Sequence, residues 1–123
     1  MGLDMYAFTT PNQPEKPVDI KIDDDCTPLF YWRKHPDLHG WMEELYLIKG
    51  GAAVNGFNCE TVELTLEDLD TLQSDIHKRR LPHTEGFFFG ESSEDDIAST
   101  LEFIILARQA INHGLFVLYD SWW

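Results

Sequence analysis

Residues 93–123 read SEDDIASTLEFIILARQAINHGLFVLYDSWW and contain a helix signal followed directly by a strand signal. Ser93 and the three acids after it are typical of a helix start, because a serine cap and acidic side chains both stabilise the positive end of the helix dipole. Apolar residues then recur at helical spacing from Ile97 to Ile111, and a glycine ends the helix. The remaining residues, 115–123, form an apolar run of strand length. This end of the chain predicts a helix followed by a final strand.

Two further helices are predicted upstream. The first begins near Pro36, because proline lacks an N–H that would be unpaired at a helix start, and it ends at Gly50. The second follows Thr65, which with Asp68 resembles a capping box, and ends before Pro82. The apolar stripes of the two helices are Leu38, Trp41, Met42, Leu45 and Ile48, and Leu66, Leu69, Leu72 and Ile76.

Three other segments alternate between apolar and polar residues, as strands do. Residues 3–9 place Met5 and Tyr6 on opposite sides of a first strand. Residues 18–23 predict a short edge strand, since charge on one face discourages edge pairing. Residues 58–65 predict another short strand.

The segment GFFFG (86–90) holds three phenylalanines in a row. In a strand Phe88 points away from Phe87 and Phe89, so all three rings are buried only if both faces are covered. We therefore predict that this segment is an interior strand.

These elements predict an α+β fold in a single domain of residues 1–123. Its sheet is mixed or mainly antiparallel, with four to five strands and three helices packed on it. Parallel crossovers are the alternative, since each helix lies between two strands.

The composition argues against several classes of function. The formal net charge of −13 repels phosphate backbones, so we expect neither nucleic acid nor an anionic membrane as a partner. No apolar run approaches the roughly 20 residues that cross a bilayer, and the N-terminus lacks the basic start of a secretory signal. We expect a cytoplasmic protein with reduced cysteines.

Five short motifs occur in order along the chain: GLDMY (2–6), YWRK (31–34), NC (58–59), GFFFG (86–90) and SWW (121–123). Together they resemble a family of small uncharacterised proteins found in bacteria and their phages. The resemblance covers nearly the whole chain. It implies a related fold and brings no established activity.

The densest cluster of aromatic and basic residues is YWRKHPDLHGW (31–41). Arg33 and Lys34 stand just before a helix start, where backbone N–H groups favour anions, so this segment is a candidate phosphate or carboxylate site. The structural alternative, which we favour, buries Tyr31 and Trp32 in the core and pairs Arg33 with one of the 22 acids.

The candidates for metal binding and nucleophilic catalysis are weak. His35 and His39 are four residues apart, a spacing that places two imidazoles on one helical face, but no third ligand is evident. Cys59 would need a neighbouring histidine to act as a nucleophile, and a cysteine at a strand start is more often a small buried hydrophobe. We predict no metal and no cofactor.

The terminal tryptophans are unusual because chain ends commonly fray. We expect both rings to be buried in the monomer, since exposing them is costly. A pocket or a subunit contact, as in a homodimer, is the alternative.

We favour a non-enzymatic module that binds a small anionic ligand or a protein through an aromatic and basic surface. The alternative is an enzyme acting on an anionic small molecule by transfer or hydrolysis, with Arg33 and Lys34 as anion clamps and His39 as general base. We further predict that the segments around Arg33 and Lys34, around His39 and at the C-terminal residues 119–122 meet in space beside GFFFG. The candidate site residues are Trp32, Arg33, Lys34, His39, Trp41, Phe88, Tyr119 and Trp122.

Overall fold

A computed structural model describes residues 2–52, 57, 60–82, 84 and 92–122 of the chain. The described residues form β1 (Asp4–Thr10), β2 (Thr27–Arg33), α1 (Pro36–Ile48), β3 (Val62–Leu64), α2 (Leu66–His77), α3 (Glu94–Asn112) and β4 (Phe116–Trp122). The strands pair antiparallel in the order β2-β1-β4-β3. The predicted α+β class, with three helices and an antiparallel sheet of four strands, is therefore confirmed.

The helix starts follow the local signals of the sequence. Pro36 occupies the first turn of α1. In α2, the Thr65 hydroxyl accepts from the N–H of Asp68 at 3.2 Å, and the Asp68 carboxylate accepts from the N–H of Thr65 at 2.9 Å. Ser93 and Asp96 form the same reciprocal pair at the start of α3. Each capping residue contributes on the order of 1 kcal/mol.

The predicted strand over residues 18–23 is wrong. Only Val18 makes a bridge, to Val62, and Asp19 has a left-handed backbone with φ 55°, which interrupts extended structure. The second strand is instead β2, which sequence analysis missed. Pro28 argues against a strand in this part of the sequence, because proline has no N–H to donate to a neighbouring strand. The strand β2 lies at the edge of the sheet, where proline is tolerated.

Some predictions fall partly or wholly outside the described residues. In the predicted strand over 58–65 the structure describes β3 and its flanks, and residues 58 and 59 lie outside. The GFFFG segment (86–90) and Trp123 also lie outside the described residues.

The sheet has one face covered by helices, called here the covered face. Strand alternation directs the buried side chains of Met5, Ala7, Trp32, Val62, Leu64, Val117 and Tyr119 to it. The helices contribute Leu38, Met42, Leu69, Leu72, Phe103 and Ala107 to the same core. The predicted division of the first strand into two faces is confirmed, since Met5 is fully buried and Tyr6 is not.

The opposite face, called here the open face, is partly covered by residues 20–26. This segment is anchored at the outer edge of β3, where the Thr61 hydroxyl donates to the carbonyl of Ile20 at 2.7 Å. It then leads to β2, which forms the other edge of the sheet. Leu118 projects from the open face, is fully buried and lines a cavity with this segment. In the half of the open face near the end of β4, called here the uncovered half, Tyr31 and Trp122 are each about half exposed.

In the part of the chain that the structure describes, no helix combines the length and apolar character needed to cross a membrane.

Candidate functional site

The sheet separates the residues that the sequence singled out. On its covered side lie Trp32, His39, Trp41 and Tyr119, all buried. Asp4 points to the open face, because its neighbour Met5 points to the covered face. Arg33 and Trp122 are the register partners of Asp4 on the two adjacent strands, so they project from the open face as well. Lys34 is exposed just after β2, and Phe88 lies outside the described residues. The structure thus places Arg33 and Trp122 on the same face, on either side of Asp4, and places His39 on the other side of the sheet.

On the covered side, His39 and Tyr119 share a buried hydrogen bond of 2.8 Å between Nδ1 and the hydroxyl oxygen. The Phe57 ring contacts both, with centroids 5.1 Å from His39 and 5.9 Å from Tyr119. Desolvation lowers the pKa of His39 to about 4. Burial raises the pKa of the Tyr119 hydroxyl well above its ordinary value. Both groups are therefore neutral at pH 7.

This pair is poorly suited to the general-base role predicted for His39. A general base is most effective when its pKa lies near the working pH, and the pKa of His39 lies far below it. The imidazole of His39 is also only 2% exposed. It lies on the covered side of the sheet, whereas Arg33 projects from the open face. The geometry favours a structural role that ties α1 to β4.

Trp32 and Trp41 also have structural partners. The ring centroid of Trp32 lies 4.8 Å from those of Phe30 and Phe103, which joins β2 to α3. The indole N–H of Trp41 donates to the carboxylate of Asp75 at 2.9 Å, which joins α1 to α2.

His35 and His39 do not form a metal pair in this arrangement. Nδ1 of His35 shares a 2.6 Å hydrogen bond with the hydroxyl of Ser92, which also accepts from the N–H of Asp37 at 3.2 Å. Desolvation lowers the pKa of His35 as well. Among the residues described, no group of three or more His, Cys, Asp or Glu side chains could hold a metal ion.

The uncovered half of the open face displays three rings on three adjacent strands. Tyr6 of β1 lies between Tyr31 of β2, with ring centroids 5.2 Å apart and planes at 46°, and Trp122 of β4, at 6.2 Å and 82°. Tyr31 is 50% exposed and Trp122 is 55% exposed. We call these three residues, with the charged Asp4, Arg33 and Asp120 that share their side of the sheet, the aromatic face.

Asp4 organises one end of the aromatic face. It is the register partner of both Arg33 and Trp122, so these three side chains form one row across the sheet. The Tyr31 hydroxyl donates to its carboxylate at 2.6 Å. This hydrogen bond is the main cause of a raised pKa for Tyr31.

Asp120 lies in the next row, directly across from Tyr6. Its carboxylate accepts from the backbone N–H of Ser121 at 2.8 Å. Desolvation raises the pKa of Asp120 despite that hydrogen bond. The carboxylate is therefore incompletely solvated where it stands.

Two predictions about aromatic burial are wrong. Tyr31 was expected in the core with Trp32, but neighbours on a strand point to opposite faces, so only Trp32 reaches the core. Trp122 was expected to be buried, but it follows Ser121, which takes the covered side, and so projects from the open face.

Sequence analysis did not select Asp4, Tyr6 or Asp120 as site residues. The alternation of residues 3–9 did place Asp4 and Tyr6 on the face opposite Met5. What the sequence did not indicate is that no described helix covers that face.

Comparison with known proteins adds no relative. No family model matches the chain, and neither a curated protein nor a solved structure shows significant similarity to it. The resemblance to small bacterial and phage proteins stays a prediction.

Proposed function

We propose that this protein is a non-enzymatic binding module that docks a protein partner on the aromatic face. One observation carries the proposal: the helices pack on the covered face, while the uncovered half of the other face presents two half-exposed rings beside Tyr6. Tyr, Trp and Arg are the residues enriched in interface cores and in their binding hot spots. The aromatic face supplies all three types.

A protein partner fits this surface better than a small molecule does. Small-molecule sites are concave and bury most of the ligand surface. Tyr31 and Trp122 instead stand half exposed on a sheet. A cavity of about 620 Å³ lies elsewhere, among the helices, with Asp37, Arg79 and Ser93 in its lining.

The enzymatic alternative has less geometric support. It requires Arg33 to hold an anion close to His39, and the sheet lies between these two side chains. The binding surface expected from the sequence also included Trp32, Trp41 and Tyr119, and these three are buried on the covered side. Arg33 and Trp122 remain on the open face, on either side of Asp4.

The test is a comparison of variants in partner capture, followed by mapping of the contact. Wild-type protein, Tyr31→Ser and Trp122→Ser are immobilised beside the control Ile105→Ser, which removes an exposed apolar side chain from the helix side. We expect a partner that wild type and Ile105→Ser retain and that both face variants lose. Thermal unfolding of each variant checks that the fold is intact.

A captured protein counts only after reconstitution from purified components. Hydrogen exchange of the complex should then protect backbone amides of β1, β2 and β4 rather than those of the helices. Protection confined to the helices, or equal capture by all four proteins, would overturn the proposal.

A further inference from the structure

We propose that the aromatic face receives a cationic side chain, a lysine or arginine of the partner, in the corner between Tyr6 and Trp122 with Asp120 as its counter-ion. This inference rests on the proposed function, since it names the chemistry of the partner that docks there. Three features of the face carry it: the ring geometry, the environment of Asp120 and the balance of charge.

The ring geometry provides walls for a cation. The planes of Tyr6 and Trp122 meet at 82° with their centroids 6.2 Å apart, so the two rings form a corner. Tyr31 stands on the other side of Tyr6 at 5.2 Å. A cation within about 6 Å of a ring centroid is attracted to the negative face of the ring, most strongly for Trp. A side chain entering this corner contacts two rings at once.

Asp120 provides a negative charge at the same corner. Its register partner is Tyr6, and Trp122 is two residues further along β4 on the same face. The ion pairs found among the described residues, Lys49–Asp68 and Arg108–Asp70, do not involve Asp120. A half-buried carboxylate that has lost part of its hydration gains from a charge-assisted hydrogen bond to an incoming cation.

The charge on the face also favours a cation. It carries the two carboxylates of Asp4 and Asp120 against the single guanidinium of Arg33, and Arg33 stands in the row of Asp4. The whole chain adds a formal net charge of −13, which raises the rate of encounter with a basic partner. The anionic ligand expected from the sequence depended on Arg33 and Lys34, and on the aromatic face Arg33 stands directly across from the carboxylate residue Asp4.

The test uses synthetic hexapeptides as probes of the full chain. Hexalysine, hexaarginine, hexaglutamate and a neutral Gly/Ser hexapeptide are titrated at low ionic strength while backbone and indole N–H resonances are followed by NMR. The variants are Asp120→Asn and Trp122→Ser. The matched control is Glu102→Gln, which removes one exposed carboxylate from the middle of α3, on the other side of the sheet.

We expect the basic peptides to shift amides of β1 and β4 and the indole N–H of Trp122. Loss of one favourable cation contact should weaken the affinity about five- to thirtyfold, which corresponds to roughly 1–2 kcal/mol. Asp120→Asn and Trp122→Ser should both show that loss, and Glu102→Gln should bind like wild type.

Two outcomes would overturn the inference. One is a set of shifts spread over the acidic surface and weakened equally by Asp120→Asn and Glu102→Gln, which indicates non-specific attraction. The other is binding of hexaglutamate or of the neutral peptide at the aromatic face in place of the basic peptides. Either result leaves the proposed docking function standing. That function is judged separately, by whether a purified partner protects the backbone amides of β1, β2 and β4 from hydrogen exchange.

Discussion

Nδ1 of His39 lies 2.8 Å from the hydroxyl oxygen of Tyr119, and 80 residues of chain separate the two. The contact joins α1 to β4, an interior strand of the sheet. Because both side chains are buried and neutral, each satisfies a polar atom of the other where water does not compete.

We predict that Tyr119→Phe destabilises the fold by about 1–3 kcal/mol, because it removes the hydroxyl from a buried ring nitrogen. Tyr31→Phe is the matched control. It removes a hydroxyl that donates to Asp4 on the exposed side, and it should change stability by about 0.5 kcal/mol or less. Urea unfolding monitored by circular dichroism gives both values. Equal effects of the two substitutions would show that the His39 contact contributes little.

A second prediction concerns pH. The pKa of His39 is about 4 in the folded protein and about 6.5 in the unfolded chain. The unfolded state therefore binds more protons between these values, so the contribution of His39 is complete above pH 6.5 and is lost as the pH falls toward 4. The loss approaches about 1.4 kcal/mol per pH unit in the middle of that range.

The comparison that isolates this effect is wild type against His39→Gln. Burial raises the pKa values of Glu43, Glu63 and Asp120, so these groups add stability as the pH falls through their folded values and oppose the histidine. Both proteins share these groups. The difference in unfolding free energy between the two proteins should shrink from pH 7 to pH 5, and a constant difference would contradict a depressed pKa for His39.

The helix starts could be predicted because their determinants lie within a few residues of one another. Thr65 with Asp68 and Ser93 with Asp96 act through bonds that span three positions. Pro36 acts through its own missing N–H. None of these signals depends on where distant segments pack.

The strand boundaries and the exposed rings could not be predicted because they depend on distant segments. Pro28 is acceptable in β2 only because β2 is an edge strand, which is set by the position of β1 and β4. Alternation indicates that Tyr31 and Trp32 differ in direction, but which of them is buried depends on the face that the helices cover. The aromatic face thus results from tertiary packing and has no local signature.

A third prediction tests the packing of α3 on β2. Phe103 is fully buried with its ring centroid 4.8 Å from that of Trp32, and Ile105 lies two residues later, exposed on the same helix. Phe103→Ala should cost about 3–5 kcal/mol through lost burial and the cavity that remains. Ile105→Ala should stay within about 0.5 kcal/mol of wild type. Chemical denaturation measures both. A mild effect of Phe103→Ala would mean that α3 is not seated on the sheet as described.

The last prediction contrasts the tryptophans of the two faces. Trp32 is 3% exposed in the core, whereas Trp122 is 55% exposed on the aromatic face. Trp32→Ala should destabilise the fold by about 3–5 kcal/mol, while Trp122→Ala should cost about 1 kcal/mol or less, because half of that ring already contacts water. Acrylamide quenching gives an independent measure. Trp122→Phe should remove an accessible component of the fluorescence, and Trp32→Phe should remove a protected one. If Trp122→Ala instead unfolds the protein as severely as Trp32→Ala, the ring is a core residue and the open face is not a docking surface.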